Sequence, residues 1–526
     1  MSLTAALLVL CGSFAWSQTP RFQNVAGEAG LRFILANSPT ADKRMVETMP
    51  GGVAAFDFDN DGRIDIFFTN GAAVPSMEKD SSGKYSNRLF RNEGNRKFRD
   101  VTEAAGVAGA GYSMGVSTGD FDNDGHVDLF VAGVRYNILY RNLGNGKFED
   151  ITARSGIKSD EWSITAGFFD YDKDGLIDLL VVNYGRDPNP DRFCGDTARA
   201  IRIYCHPKYF DGRPNQLYRN LGGGKFEDVS VKSGIAAHKG RGMSVAFADY
   251  DDDGKIDAFV SNDNLPNFLF RNLGGGRFEE TGLLAGVALL DHGKPIASMG
   301  ADFRDVDNDG RPDLSVTALT GETFPFFRND GKGMFHDATY ESRLGPLSSK
   351  FAGWANGWID FNNDGWKDLF TANSHVNDLV EKFEPAVYRQ PNSVFVNDRG
   401  KFSDAADAAL AKAVAAHRGA AFADFDGDGK VDVVVTVLGE PAELWRNVTE
   451  GAGNWIDIDV RKIGTRVRIG DQWNHFAPAV GYGSSSHTPV HFGVGKAETV
   501  PRIEVMWPDG SKKVVENVKV NQTIKP

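Results

Sequence analysis

The chain has 526 residues, 41% of them hydrophobic, and 60 glycines, enough to bury substantial cores joined by many tight turns. Its formal charge of −13 excludes nucleic acid and anionic membrane surfaces as partners. The acidity is not spread evenly; it recurs in short clusters along the chain.

Residues 1–17 read as a secretory signal: an apolar run Ala5-Ala6-Leu7-Leu8-Val9-Leu10, then Ala15-Trp16-Ser17 before Gln18. The run is too short to span a bilayer, so no transmembrane segment is expected. No Lys or Arg precedes it, and Leu10 sits where a lipid-anchored Cys11 would need a small residue. Export to a periplasmic or extracellular compartment is the expectation.

From Gln18 to Glu450 one unit repeats. Its mark is a nonapeptide such as Asp57-Phe58-Asp59-Asn60-Asp61-Gly62-Arg63-Ile64-Asp65, followed by an apolar, β-branched or aromatic run. Position 1 is Asp57, Asp120, Asp170, Asp249, Asp305, Asp360 and Asp424, and position 3 is Asp59, Asp122, Asp172, Asp251, Asp307, Asn362 and Asp426. Position 5 is Asp61, Asp124, Asp174, Asp253, Asp309, Asp364 and Asp428, and position 9 is Asp65, Asp128, Asp178, Asp257, Asp313, Asp368 and Asp432. Alternating carboxylates ahead of a glycine turn aim several oxygens at one centre, which suits a hard cation, and Ca²⁺ better than the smaller, octahedral Mg²⁺. A bidentate Glu at position 12, as in helix–loop–helix calcium hands, is missing from every copy, so these are loops between strands. Asp-rich turns held only by side chain–backbone hydrogen bonds are the alternative, but four carboxylates in nine residues repel one another without a cation. Up to seven structural Ca²⁺ ions are expected, which would bring the formal charge close to zero. Asn362 marks the sixth loop as the weakest.

Each unit carries four short strand-like phrases. In the second they are Ser113 to Gly119, Asp128 to Val131, Asn137 to Asn142 and Lys147 to Thr152, with Leu143-Gly144-Asn145-Gly146 as a hairpin turn. Seven such units predict an all-β, seven-bladed β-propeller. The seventh lacks its fourth phrase, which stands instead at Arg21-Phe22-Gln23-Asn24-Val25, so the N-terminal strand is expected to close the ring. Cys194 and Cys205 lie in one insertion, where an oxidising compartment favours a disulfide between them.

Strand order in an up-and-down blade puts the acidic loops on one face and the long insertions, 70–86, 183–214 and 373–391, on the other. A polar ligand site on the insertion face is predicted from Tyr184, Arg186, His238, Arg241, Asn262, Asp263, Asn264, Trp354, Asn373, His375, His417 and Arg418. For any single one of these, capping a strand end is the competing reading. His238, His375 and His417 with Asp263 are the residues a catalyst would use, but no nucleophile elbow, zinc helix or phosphate loop accompanies them.

Residues 451–526 change pattern. Trp455-Ile456-Asp457-Ile458-Asp459-Val460 alternates like a strand, and Thr465 to Ile469, Val490 to Phe492 and Ile503 to Trp507 follow. A small second β domain packed on the propeller is expected. The acidic repeats resemble the FG-GAP/VCBS repeats of integrin α-chain ectodomains. The tail resembles the ASPIC/UnbV domain through Asn454-Trp455, Val490-His491-Phe492-Gly493-Val494-Gly495 and Val505-Met506-Trp507-Pro508-Asp509-Gly510. The combination is similar to the cartilage acidic protein family. That resemblance implies secretion, calcium binding and adhesion or matrix interaction, without a uniform activity. The tail departs from it in being short between Lys462 and Gly464. The expected function is a secreted adhesion or ligand-binding module for an extracellular protein or carbohydrate, with no catalytic residue assigned. The alternatives are a carbohydrate-active or small-molecule lyase, isomerase or cyclase, and a scaffold that docks a partner through its tail.

Overall fold

The computed structural model describes residues 18–405 and 407–526; the signal sequence read at 1–17 lies outside them. Seven four-stranded antiparallel units follow one another. Blade 1 is built from Val53–Phe56, Asp65–Phe68, Arg88–Asn92 and Phe98–Asp100, and blade 2 from Ser113–Gly119, Asp128–Gly133, Ile138–Asn142 and Phe148–Asp150. Each second strand is an uninterrupted buried run, Asp128–Gly133 for example, because both of its faces are covered. Outer strands such as Phe148–Asp150 bury one residue and expose the rest.

The inner strand of each blade packs against the next, and His417–Ala423 of blade 7 packs against Val53–Phe56 of blade 1. Blade 7 takes its outer strand from the N-terminus: Phe22–Asn24 pairs antiparallel with Glu443–Asn447, Phe22 opposite Asn447. After each outer strand the chain makes a short turn of helix. Thr102–Ala105 is an example, ended by Gly106 at φ 76°, a left-handed position that glycine takes without strain.

The tail holds two sheets. Asn454–Ile458 lies between Val490–Gly495 (antiparallel) and Gln522–Ile524 (parallel). Arg466–Ile469 lies between Gln472–His475 and Thr499–Met506, which Lys512–Lys519 extends. Between Phe476 and Thr488 the chain leaves these sheets and enters the ring. Ser484–His487 pairs parallel with Val53–Phe56, so that blade 1 gains tail strands. Ala479–Val480 meets the inner strands of blades 3 (Ser163–Phe169), 4 (Gly242–Ala248) and 6 (Gly353–Ile359), and Gly481 N–H donates at 3.1 Å to the Ala301 carbonyl of the blade 5 inner strand, Ala301–Arg304. Ser484–His487 meets the inner strands of blades 1, 2 and 7. Tyr482 apart, the residues from Gly481 to Ser486 are small: a Cβ on Gly481 would lie 2.5 Å from the Asn356 carbonyl oxygen, and its φ is +56°. The tail therefore plugs the axis of the propeller as well as packing against it.

Candidate functional site

Every acidic loop joins the first strand of a blade to the second. In blade 1, Asp57 accepts the N–H groups of Asp61 (3.0 Å) and Gly62 (2.9 Å), which coils the loop around its first carboxylate. Asp65 opens the second strand and accepts from Phe58 N (3.0 Å) and from Asn92 N (2.7 Å) on the third. One oxygen from each of Asp57, Asp59 and Asp61 lies within 4.8 Å of the others, and Asp120/Asp122/Asp128, Asp170/Asp172/Asp178, Asp249/Asp251/Asp257 and Asp305/Asp307/Asp313 do the same.

The position-3 carboxylates are the most telling. Asp59, Asp122, Asp172, Asp251 and Asp426 each have one buried oxygen, Oδ1, that receives no hydrogen bond. Buried polar atoms in folded proteins are satisfied in the great majority of cases, so five equivalent orphans single out these loops as able to hold a guest. The donor set, all oxygen and anionic, fits Ca²⁺. Burial also pushes the position-9 carboxyls up, Asp65 and Asp178 to about 8, and Asp128, Asp257, Asp313, Asp368 and Asp432 well above their usual range. Burial raises Asp249, Asp305 and Asp424 at position 1 to about 6.

The other oxygen of these five carboxylates is held by a residue the sequence alone did not assign. Arg91 Nε meets Asp59 at 2.6 Å, Arg141 meets Asp122 at 2.5 Å, Arg219 meets Asp172 at 2.8 Å, Arg271 meets Asp251 at 2.7 Å and Arg446 meets Asp426 at 2.6 Å. The fifth loop differs: Arg328 pairs with Asp307 Oδ2, and Asp307 Oδ1 accepts the Asp309 N–H at 3.2 Å, so neither oxygen is left over. The signal was present: an Arg-Asn dipeptide recurs in the third strand of six units. In the sixth, Val396 stands where the others have Arg, and Asn362 where the others have Asp. Loss of the anion is matched by loss of the cation, so Asn362 does not by itself make the sixth loop the weakest. Consecutive loops are also stitched together, Asn60 Nδ2 donating to Gly125 O and Asn123 Nδ2 to Gly175 O at 2.9 Å each.

On the insertion face the predicted residues gather into two groups. Tyr184 donates its hydroxyl to Asp263 at 2.7 Å, and Arg241 donates to the Phe210 carbonyl at 2.8 Å and to the Asp263 carbonyl at 3.2 Å. Asn264 joins this group by donating to the Asp263 carboxylate at 3.1 Å. Burial raises the Asp263 carboxyl. In the second group the Arg418 guanidinium lies 4.0 Å over the Trp354 ring and donates to the Thr48 carbonyl at 2.6 Å. His417 faces Glu443 at 3.2 Å and the Asn373 carbonyl at 3.1 Å. Asn262 and Asn373 donate to the carbonyls of Pro266 and Pro391 at 2.9 Å each, as strand-end caps. His238 packs on Phe268 and Phe270, burial lowers His375, which accepts from Asn377 N, and Arg186 is exposed. His238 and Asn264 are half-buried and Arg186 is exposed; the other nine of the twelve are buried. They form the floor and fastenings of that face, which favours the capping reading over a lined mouth. The insertion there is tied by the Cys194–Cys205 disulfide.

The acidic-loop face is where the tail sits. Arg461 donates to Asn60 at 2.9 Å, Arg466 meets Asp252 at 2.7 Å, Lys367 donates to the Trp473 carbonyl at 3.0 Å, and His491 Nε2 lies 2.8 Å from Asn363 Oδ1. Among the described residues no helix is long and apolar enough to cross a membrane.

Known proteins share this arrangement. The FG-GAP-like repeat family matches residues 57–131, 120–181, 187–260, 249–316, 305–371 and 360–435, most of these matches running from one acidic loop into the strand after the next. The ASPIC and UnbV family matches residues 460–525. Cartilage acidic protein 1 of Mus musculus is 24% identical over 506 residues, covering 87% of this chain and 61% of that protein. The Homo sapiens protein is 24% identical over 515 residues, covering 89% and 61%. The chain thus spans about 61% of the length of these relatives. Among solved structures, an Agrocybe aegerita lectin, described as recognising non-reducing terminal N-acetylglucosamine, aligns over 75% of this chain and 87% of its own, with 15% identity and a TM-score of 0.40.

Proposed function

Because this chain belongs to the FG-GAP-like repeat family and ends in an ASPIC and UnbV domain, we propose that it is a secreted, calcium-braced binding module. The observation that carries the reading is the set of five buried, donor-free carboxylate oxygens, one at position 3 of every loop except the fifth and sixth. Calcium in these loops would tie the first strand of each blade to the second and, through Asn92 and its equivalents, to the third, so that binding energy becomes folding energy. The Cys194–Cys205 disulfide supports an oxidising compartment. The insertion face, opposite the tail, is the surface offered to an extracellular protein or carbohydrate. Catalysis by His417 draws no support from its surroundings, since the ring is fully buried against Glu443 and Asn373.

Calorimetric titration of the chelated protein with Ca²⁺ and Mg²⁺, paired with thermal unfolding, tests the reading. Each loop filled at a hundred times its Kd adds about 2.7 kcal/mol to stability. Multisite calcium uptake with a large rise in Tm is expected. An unchanged melting curve with no heat of binding would remove the reading.

A further inference from the structure

A cavity of about 470 Å³ lies between the tail and the acidic-loop face, near the tail plug. It borders three of the acidic loops and lies apart from the insertion face. Its size falls in the range of roughly 300–1,000 Å³ common for small-molecule sites. Trp358 and Phe422 of the propeller and Phe476 and Phe492 of the tail give it apolar walls. Two hydrogen-bonding atoms in those walls are buried and have no protein partner: Trp358 Nε1, on a side chain only 2% exposed, and His487 Nδ1. Orphans are uncommon in folded interiors, and two in the wall of one cavity point to something that enters it.

Charge indicates what enters. Asp57, Asp360 and Asp424 also line the cavity, but they are position-1 carboxylates, neutralised when the loops hold their cations. Of the remaining charged side chains the most buried are Asp302 and Lys367, and Arg304 Nη1 lies 3.2 Å from Asp302 Oδ1. Asp302 accepts the backbone N–H of Trp358 at 3.1 Å, which sets Asp302, Arg304 and Trp358 side by side. Farther along the wall Lys525 is spent on Asp459 at 3.1 Å and His491 on Asp457 at 2.7 Å. Beside the unspent indole N–H stand two cations against one anion, with Lys367 also donating to the Asp305 and Trp473 carbonyls at 2.8 and 3.0 Å and Arg304 to the Phe303 carbonyl at 2.7 Å.

We propose that this cleft binds a small organic carboxylate with an apolar body. The carboxylate is held by charge-assisted hydrogen bonds near Arg304 and Trp358, and the body lies over Phe422, Phe476 and Phe492. The proposal rests on the loops holding cations, and the test separates the two.

Fluorine NMR with fluorinated benzoates and phenylacetates, each beside its primary amide, is run on the calcium-loaded full chain, on the chelated chain, and on R304Q and T488W. Thr488 lines the cleft, so a tryptophan there fills it. Saturable binding of at least one carboxylate tighter than about 1 mM is expected. The matched amide should bind about tenfold more weakly or worse, and chelation and both variants should weaken the carboxylate. Absence of binding, equal binding of the amide, binding indifferent to chelation, or binding that survives T488W overturns the proposal. Should R304Q fail to fold, the amide comparison and T488W decide. A chain that takes up calcium calorimetrically yet binds no carboxylate overturns the cleft and leaves the calcium reading standing.

Discussion

The Tyr482 hydroxyl donates to the Met49 carbonyl at 2.7 Å, joining residues 433 apart in the chain. The ring is fully buried and meets Trp354 edge-on, with centroids 4.9 Å apart. Trp354 carries Arg418 on its face. One tail side chain thus completes a stack between the N-terminal segment and blades 6 and 7. Without the plug, the small inner residues Gly52, Gly115 and Gly419 would face an empty axis.

Propeller and tail should accordingly unfold together. Y482F removes a single hydrogen bond and should cost about 1 kcal/mol, whereas Y482A empties a packed aromatic site and should cost about 3–5 kcal/mol. Urea unfolding followed by tryptophan fluorescence and far-UV dichroism measures both. Two separate transitions in the wild-type protein would show that the plug does not couple the domains.

The raised carboxyls set the pH behaviour of the calcium-free protein. Asp65 and Asp178 titrate near 8 when folded, against about 4 for an ordinary Asp in the unfolded chain. Between those values the folded state binds more protons, so calcium-free stability is greatest in acid and falls as pH rises from about 4 to 8. Calcium must displace these protons. Its binding at pH 7 should therefore release protons, visible as a dependence of calorimetric heat on buffer ionisation enthalpy, and its affinity should fall on acidification. A binding heat independent of buffer would contradict the buried, protonated carboxyls.

The ring was legible because its unit is local: an acidic turn, an apolar strand and a Gly-rich hairpin recur at short range. The displaced seventh-blade strand was legible for the same reason, since Arg21-Phe22-Gln23-Asn24 is a recognisable fourth phrase. The plug was not. Gly481 to Ser486 has no apolar periodicity, and its small residues matter only because seven inner strands converge on them. The insertion-face residues were chosen by loop position, which says nothing of depth; Trp354 and Arg418 proved to be packed inside. The strand-three arginines were visible as a repeat, but their role needed the distance to position 3.

Docking of the tail on blade 7 can be tested with two glycines of one loop. A Cβ on Gly429 would fall 1.7 Å from Trp455 Nε1, whereas one on Gly427 would meet nothing within 4 Å. Both have positive φ, +80° and +72°, so the backbone strain of alanine, about 1 kcal/mol, is common to the two. G429A should therefore lose more stability than G427A and expose the tail to limited proteolysis. Equal losses would mean that Trp455 yields without cost.

The exchange of Asp and Arg for Asn and Val in the sixth blade predicts a thermodynamic cycle in the second. D122N leaves Arg141 without its 2.5 Å partner, keeping only Asp124 at 3.1 Å. R141V leaves Asp122 with a further unsatisfied oxygen. The double variant reproduces the Asn362/Val396 pair, which a folded blade already tolerates. Arg141 is 38% exposed, so solvent screening limits the pairing and a coupling of about 0.5–1 kcal/mol is expected in calcium. Each single variant should be less stable than additivity with the double allows, measured by urea unfolding at fixed free calcium. In the chelated protein D122N should behave differently: removing one of four mutually repelling carboxylates should relieve the loop, so its cost should shrink or change sign. A cost for D122N that is the same with and without calcium would mean that the position-3 oxygen faces no cation.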